Sequence, residues 1–109
     1  MEFVDNYNPP LNTRVKRTFN ENQILGRIGE YIGTTYEKHY AQGTIQATEF
    51  ISSSGYGEGF CLGNIIKYAQ RFGKKGHRTL DKEKDLFKII HYAIILLHEI
   101  EQKEGKQKF

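Results

Sequence analysis

Four side chains that carry a positive charge or an amide recur at helical spacing in the middle of the chain, an arrangement suited to binding an anion. Asn64, Lys67, Arg71 and Lys75 follow one another at intervals of three or four residues, with Tyr68 beside them. Residues at this spacing share one face of a helix. Lysine and arginine neutralise phosphate oxygens, and arginine can donate two parallel hydrogen bonds to them. The pattern therefore predicts a helix face that holds phosphates while the phenol stacks on or orients a base.

A glycine-rich stretch precedes this helix and predicts a second way of holding an anion. Gly55, Gly57 and Gly59 occupy alternate positions before a helical pattern that begins near Phe60. The first turn of a helix has unpaired backbone N–H groups and the positive end of the helix dipole, and glycine lets a phosphate approach closely. A basic Gly-Lys-Lys-Gly turn at 73–76 closes the helix.

The opposite side of the same helix carries an apolar stripe, which predicts its buried face. Counting about 100° per residue, the stripe consists of Leu62, Ile65, Ala69 and Phe72. The charged face would then be open to a ligand. The composition favours equally the simpler interpretation that this face is only the solvated side of an amphipathic helix.

Metal-assisted and nucleophilic chemistry have less support, and no metal site is predicted. His91 and His98 share a helix face but lie about 10 Å apart along the axis, too far to chelate one ion, so we expect packed or interfacial histidines. The glutamates of 99–104 are expected to be solvated, which disfavours a carboxylate-bound metal. Cys61 is flanked by apolar residues and is predicted to be a buried structural thiol.

The elements that position these residues are predicted to be helices. Residues 20–40 keep a helical apolar period. Gly26, Gly29 and Gly33 lie within this stretch. Each glycine costs about 1 kcal/mol of helix stability relative to alanine, so the three indicate close packing against another element.

Later helical patterns complete a mainly α domain of three to four helices. A short helical segment at 45–53 and a long helix at about 82–104 flank the central helix. The long helix carries two apolar stripes, which predicts that the second packs against another helix of the domain or against a partner subunit in an oligomer. We expect an irregular N-terminal arm at 1–19 and a single helical domain at 20–109.

Composition excludes several classes of protein. The chain has 109 residues, a net charge of +3 and a single cysteine, so neither an internal disulfide nor a cysteine-based zinc site can form. No apolar run reaches the roughly 20 residues of a membrane span, and no secretory signal pattern occurs. We therefore expect a soluble, cytoplasmic protein with no membrane partner. Its mild basicity permits binding to phosphate-bearing partners of any kind.

Several short blocks between 39 and 100 carry a resemblance to a known family. The most specific block is FCxGNxxKYxxR at 60–71. The others are His39-Tyr40, Ile45-Gln46, Glu49-Phe50, Lys75, Asp85-Leu86-x-Lys88 and His91-Tyr92. Together they resemble small phage and prophage proteins long described as a domain of unknown function. That family includes a phage-encoded nucleotide kinase without a Walker loop.

The resemblance implies phosphoryl transfer from a nucleoside triphosphate to a deoxynucleoside monophosphate, in a homo-oligomer whose subunits together form the site. It implies catalytic roles for Lys67, Arg71 and His39. The residues that it implies for nucleotide binding are Gly63, Asn64, Lys67, Tyr68, Arg71, Lys75, Glu49, Asp85, Lys88 and Tyr92. No cofactor is required beyond the triphosphate donor. A phage-encoded protein of this kind would act in the cytoplasm of its bacterial host.

Two other function classes stay open. A non-catalytic phage protein could bind nucleic acid or a host protein through the same basic face, and its retention on DNA would depend steeply on salt. An all-α nucleotide pyrophosphohydrolase would depend on a divalent metal and release pyrophosphate.

Overall fold

The computed structural model of the chain is built from α-helices and describes residues 17–41, 44–74 and 78–108, with side chains except at 39–41, 44–46 and 105–108. Its helices are α1 (Glu21–Ala41), α2 (Thr44–Ile51), α3 (Gly57–Arg71) and α4 (Thr79–Lys108). No strand occurs over these ranges, so the predicted mainly α fold is confirmed. Of the N-terminal arm predicted at 1–19, only the last residues fall within the described part. Among all the described residues, no helix is both long and apolar enough to cross a membrane.

α3 and α4 form a helical hairpin, which is the most extensive packing in the fold. Tyr68 of α3 stacks with Tyr92 of α4, with ring centroids 6.3 Å apart. Arg71, one turn further along α3, pairs with Asp85, which lies two turns earlier in α4. Since the partners advance in opposite directions, the two helices run antiparallel.

α1 lies against the first half of α4 and runs parallel to it. Arg27 of α1 forms an ion pair with Glu83 of α4. Tyr31, one turn later, packs against Phe87, also one turn later, with ring centroids 5.4 Å apart. α1 and α3 therefore flank α4, which is the central element of the fold.

The connection between α2 and α3 is a wide helical turn with a break at Gly55. This residue has φ +91°, a left-handed conformation that glycine adopts without steric cost. α3 begins directly after the break, at Gly57 rather than near Phe60 as predicted. The break redirects the chain so that α3 packs along α4.

The face of α3 that packs on α4 differs from the predicted one. Cys61 and Tyr68 are 1% and 8% exposed, whereas Leu62 and Phe72 of the predicted buried stripe are 47% and 39% exposed. Ala69 is exposed as well. A tyrosine ring carries more apolar surface than leucine or alanine, and its cationic neighbours can bury their stems while keeping their charges near water. The prediction counted Tyr68 as polar and therefore placed it on the open face, which is wrong, whereas Ile65 of the predicted stripe is half-buried.

The glycines of α1 do not pack closely against another described element. A Cβ added at Gly26, Gly29 or Gly33 would meet no atom within 4 Å. The close packing predicted from these glycines is therefore not found among the described residues of one chain.

Candidate functional site

A buried tyrosine surrounded by three cations lies where α3 meets α4. Lys67 Nζ is 4.9 Å and Lys88 Nζ 5.2 Å from the centroid of the Tyr68 ring. The guanidinium carbon of Arg71 is 4.8 Å from the same centroid. Cation–π attraction favours each of these positions. We call Lys67, Tyr68, Arg71 and Lys88 the cationic cluster.

One carboxylate lies within reach of this cluster. Asp85 is 5% exposed and accepts a hydrogen bond of 3.0 Å from Arg71 Nη2. The Nε–H of Arg71 is buried and has no hydrogen-bond partner among the described residues. Neither lysine of the cluster forms an ion pair within the described part of the chain. Three cations facing one carboxylate leave an excess of positive charge, which suits a phosphate.

A cavity of about 610 Å³ opens beside the cluster, between α1, α2 and α4. Its aromatic wall consists of Tyr31, Tyr36, Tyr68, His91 and Tyr92. Tyr68 and Lys88 belong to both the cavity wall and the cluster, so the two are parts of one continuous site. Cavities of this size typically bind small ligands.

Burial raises the pKa of two tyrosines of the cavity, Tyr31 and Tyr92. Desolvation raises the pKa of Tyr31 above its ordinary value of 10.0, and a hydrogen bond with Thr35 acts in the opposite direction. Desolvation raises the pKa of Tyr92 in the same way, and nearby Tyr68 adds to the effect. Phenols are protonated at neutral pH even at their ordinary pKa, so both can donate hydrogen bonds to a ligand.

Glu99 lies at the α2 end of the cavity rather than in solvent as predicted. It is half-buried and accepts a hydrogen bond from Ser52 Oγ. Its Oε1 would lie 2.7 Å from a Cβ added at Gly57, the first residue of α3. The protein's own carboxylate thus lies at this helix N-terminus, where the sequence predicted a phosphate. A second anion at that point would be repelled, so the structure does not support a phosphate site there.

Most residues assigned by the family resemblance come together. The cationic cluster, Asp85 and Tyr92 lie around one point of the α3–α4 contact. Glu49 lies apart from that point but lines the same cavity.

Two further assigned residues, Gly63 and Asn64, are not part of the cluster or the cavity. Gly63 is exposed, and the side-chain amide of Asn64 donates a hydrogen bond of 2.9 Å to Phe60 O within α3. Neither lines the cavity. The side chain of His39 and all of Lys75 lie outside the described residues.

The structure adds cavity residues that the sequence did not reveal, chiefly Glu99, Ser52, Tyr31 and Tyr36. The two tyrosines belong to the apolar period of α1 and were interpreted only as packing residues. The contact between Glu99 and Ser52 joins residues far apart in the sequence. No local pattern could have indicated it.

Metal and thiol chemistry receive no support from the described residues. Nowhere among them do three His, Cys, Asp or Glu side chains come close enough to share a metal ion. Cys61 is buried, as predicted. Burial raises the pKa of its thiol, and the charge of Glu99 adds to this, so the thiol is a poor nucleophile.

Comparison with known proteins identifies the family of the chain but no activity. A family model for proteins of unknown function, DUF3310, matches residues 34–94. The matched region covers more than half of the chain and contains the whole cationic cluster. No protein with a curated description and no solved structure gives a significant match. By this match, the chain belongs to the DUF3310 family.

Proposed function

We propose that the protein is a phage or prophage nucleotide kinase that transfers a phosphoryl group from a nucleoside triphosphate to a deoxynucleoside monophosphate. The observation that carries this proposal is the cationic cluster, in which three cations from two helices surround a buried tyrosine at the edge of an aromatic cavity. The resemblance of the block at 60–71 to a phage nucleotide kinase supports the choice of reaction.

The cluster has the charges that phosphoryl transfer requires. In this reaction an oxygen of the acceptor phosphate forms a bond to the γ-phosphorus, and the nucleoside diphosphate leaves with the electron pair of the broken bond. Catalysis depends mainly on positioning and on stabilising charge on the phosphate oxygens. Arg71, oriented by Asp85, supplies a fixed positive charge. Lys67 and Lys88 supply two further positive charges, and His39 remains part of the proposed catalytic set.

We also infer that a second copy of the chain covers the outer face of α3. Leu62 and Ile66 are 47% and 63% exposed, and the exposed Gly59 and Ala69 lie on the same helix face. An apolar face of this kind is typical of an interface. Light scattering should show an oligomer for the wild-type protein and a smaller species for Ile66→Glu. A wild-type monomer at all concentrations would contradict the inference.

Nucleotide binding and transfer are tested best with the two lysines. Neither lysine has an ion-pair partner among the described residues. Lys67→Ala and Lys88→Ala therefore do not leave a carboxylate unpaired. Each should weaken binding of ATP and of deoxynucleoside monophosphates by about tenfold, the effect of one charged hydrogen bond, and should abolish transfer of the labelled γ-phosphate. Lys84→Ala, which removes an exposed lysine of α4, is the matched control and should change neither.

Arg71 requires a different variant. Removing it alone would leave the buried Asp85 unpaired and would destabilise the fold. The double variant Arg71→Ala with Asp85→Asn separates lost binding from lost stability. Absence of transfer, together with unchanged nucleotide binding in the lysine variants, would refute both the kinase and the binding site.

Two outcomes would favour the other functions. Retention on DNA that falls steeply with salt, without nucleotide binding, would favour a non-catalytic interaction protein. Release of pyrophosphate in the presence of a divalent metal would favour a pyrophosphohydrolase. The described residues contain no three-residue cluster of metal-ligand types that would support the latter.

A further inference from the structure

The cavity beside the cationic cluster has opposite charges at its two ends. Lys88 and Glu99 both line it, and they are eleven residues apart in α4, about 16 Å along the helix axis. Glu49 of α2 also lines it, one turn before Ser52, which donates a hydrogen bond to Glu99. The cavity is therefore positive beside the cluster and negative at the α2 end.

The wall between these ends is aromatic and partly accessible. Tyr36 is 49% exposed, and its ring lies against His91 with centroids 6.4 Å apart. The ring of Tyr31 meets that of His91 edge-on, with centroids 6.3 Å apart. Aromatic surfaces of this kind stack flat heterocycles without regard to their hydrogen-bonding edges.

Glu49 and Glu99 differ in what they can offer a ligand. Glu99 accepts a hydrogen bond from Ser52 and lies against Gly57, so its carboxylate already has contacts within the protein. Glu49 is exposed and forms no hydrogen bond or ion pair within the described part of the chain. An ionised carboxylate only accepts hydrogen bonds. Glu49 would therefore favour a ligand with an N–H donor facing it and disfavour one with a carbonyl oxygen there.

We propose that the cavity is a nucleoside subsite: the base stacks on the aromatic wall with an N–H donor toward Glu49, and the 5′-phosphate lies at the cationic cluster. The placement of the phosphate rests on the proposed function. The orientation follows from charge, since the carboxylates at the α2 end repel a phosphate and Lys88 attracts it. Glu49 is thus a residue that determines base specificity.

Calorimetric titration of the full chain tests this subsite with three kinds of probe: the four deoxynucleoside monophosphates, the four deoxynucleosides, and inorganic pyrophosphate. The Glu49→Gln substitution keeps the size of the side chain and replaces one acceptor oxygen with an amino group. It should weaken binding of the preferred monophosphate by about tenfold and reduce the differences between bases. Binding of pyrophosphate should not change.

A second variant blocks the cavity without disturbing the core. Ile94 lines the cavity and is 44% exposed, so Ile94→Trp should fill space and prevent binding of nucleotides and nucleosides. Ile100→Trp is the matched control, because Ile100 lies on the same helix, is 38% exposed and does not line the cavity. The control should bind all probes normally.

The outcomes separate this inference from the proposed function. Nucleotide affinities that are unchanged in Glu49→Gln and Ile94→Trp would overturn the subsite, and so would monophosphates that bind no more tightly than pyrophosphate. If nucleosides bind and Ile94→Trp prevents it, while pyrophosphate does not bind and Lys67→Ala has no effect, the subsite stands and the phosphate site fails. Absence of binding for all three probes would overturn both.

Discussion

Gly57 provides the sharpest test of how the α2 end of the cavity is built. Its backbone has φ −61° and ψ −39°, which any residue adopts in a helix. On conformational grounds alone, Gly57→Ala should therefore stabilise α3 by about 1 kcal/mol. The structure predicts the opposite sign because of what surrounds this position.

The magnitude follows from the atoms that a new Cβ would meet. It would lie 2.7 Å from Glu99 Oε1, 3.0 Å from Glu99 Cδ and 3.3 Å from Ser52 Cα. The glutamate can rotate away, but it then loses the hydrogen bond from Ser52 Oγ. A hydrogen bond to a charged group contributes about 1.5–3 kcal/mol. Subtracting the helix gain of about 1 kcal/mol leaves a net destabilisation of roughly 0.5–2 kcal/mol.

Urea unfolding followed by circular dichroism, at one fixed protein concentration, measures this effect. Gly63→Ala is the matched control, since Gly63 lies in the same helix and a Cβ there meets no atom within 4 Å. That variant should be more stable than the wild type by up to about 1 kcal/mol. Adding Ser52→Ala to Gly57→Ala should cost little further stability, because the same hydrogen bond is already lost. Equal stabilisation by the two alanine substitutions would refute the position assigned to Glu99.

Three further predictions concern the buried charges and titratable groups. Asp85→Asn should lower the free energy of unfolding by about 2 kcal/mol, because Arg71 loses its counter-charge. This value lies between those of exposed and buried ion pairs. A variant as stable in urea as the wild type would contradict the ion pair. The free energy of unfolding should fall as pH rises above 10.0, because the pKa values of Tyr31 and Tyr92 are higher in the folded chain than in the unfolded one. Thermal melts should show a smaller fall for Tyr92→Phe than for the wild type. An equal fall in the two proteins would contradict the raised pKa of Tyr92. Cys61 should react with iodoacetamide only on unfolding, as it is 1% exposed; rapid labelling of the folded protein would disprove its burial.

The helical elements could be predicted because their signals are local. The period of residues 20–40 is continuous and gave α1 nearly to its bounds, Glu21–Ala41. The apolar stripes of 82–104 likewise gave most of α4. The first residue of α3 was harder to predict, because the three alternating glycines before Phe60 carry no apolar period. The start of α3 at Gly57 is decided by the break at Gly55.

The buried face of α3 could not be predicted by counting apolar residues. Two faces of this helix offer apolar surface, and the choice depends on what the partner helix presents. α4 presents Tyr92 and Asp85, which match the ring of Tyr68 and the charge of Arg71. With Tyr68 on the contact face, Leu62 lies outside it and is 47% exposed.

The antiparallel hairpin gives the cationic cluster a property that neither helix has alone. Arg71 lies one turn after Lys67 in α3, and Lys88 lies about one turn after Asp85 in α4. Because the helices run in opposite directions, pairing Arg71 with Asp85 brings the two lysines to the same ring, that of Tyr68. Like charges held in this way repel each other, and no carboxylate among the described residues pairs with either lysine. A phosphate between them would replace this repulsion by two attractions, which is the interaction that the proposed function requires.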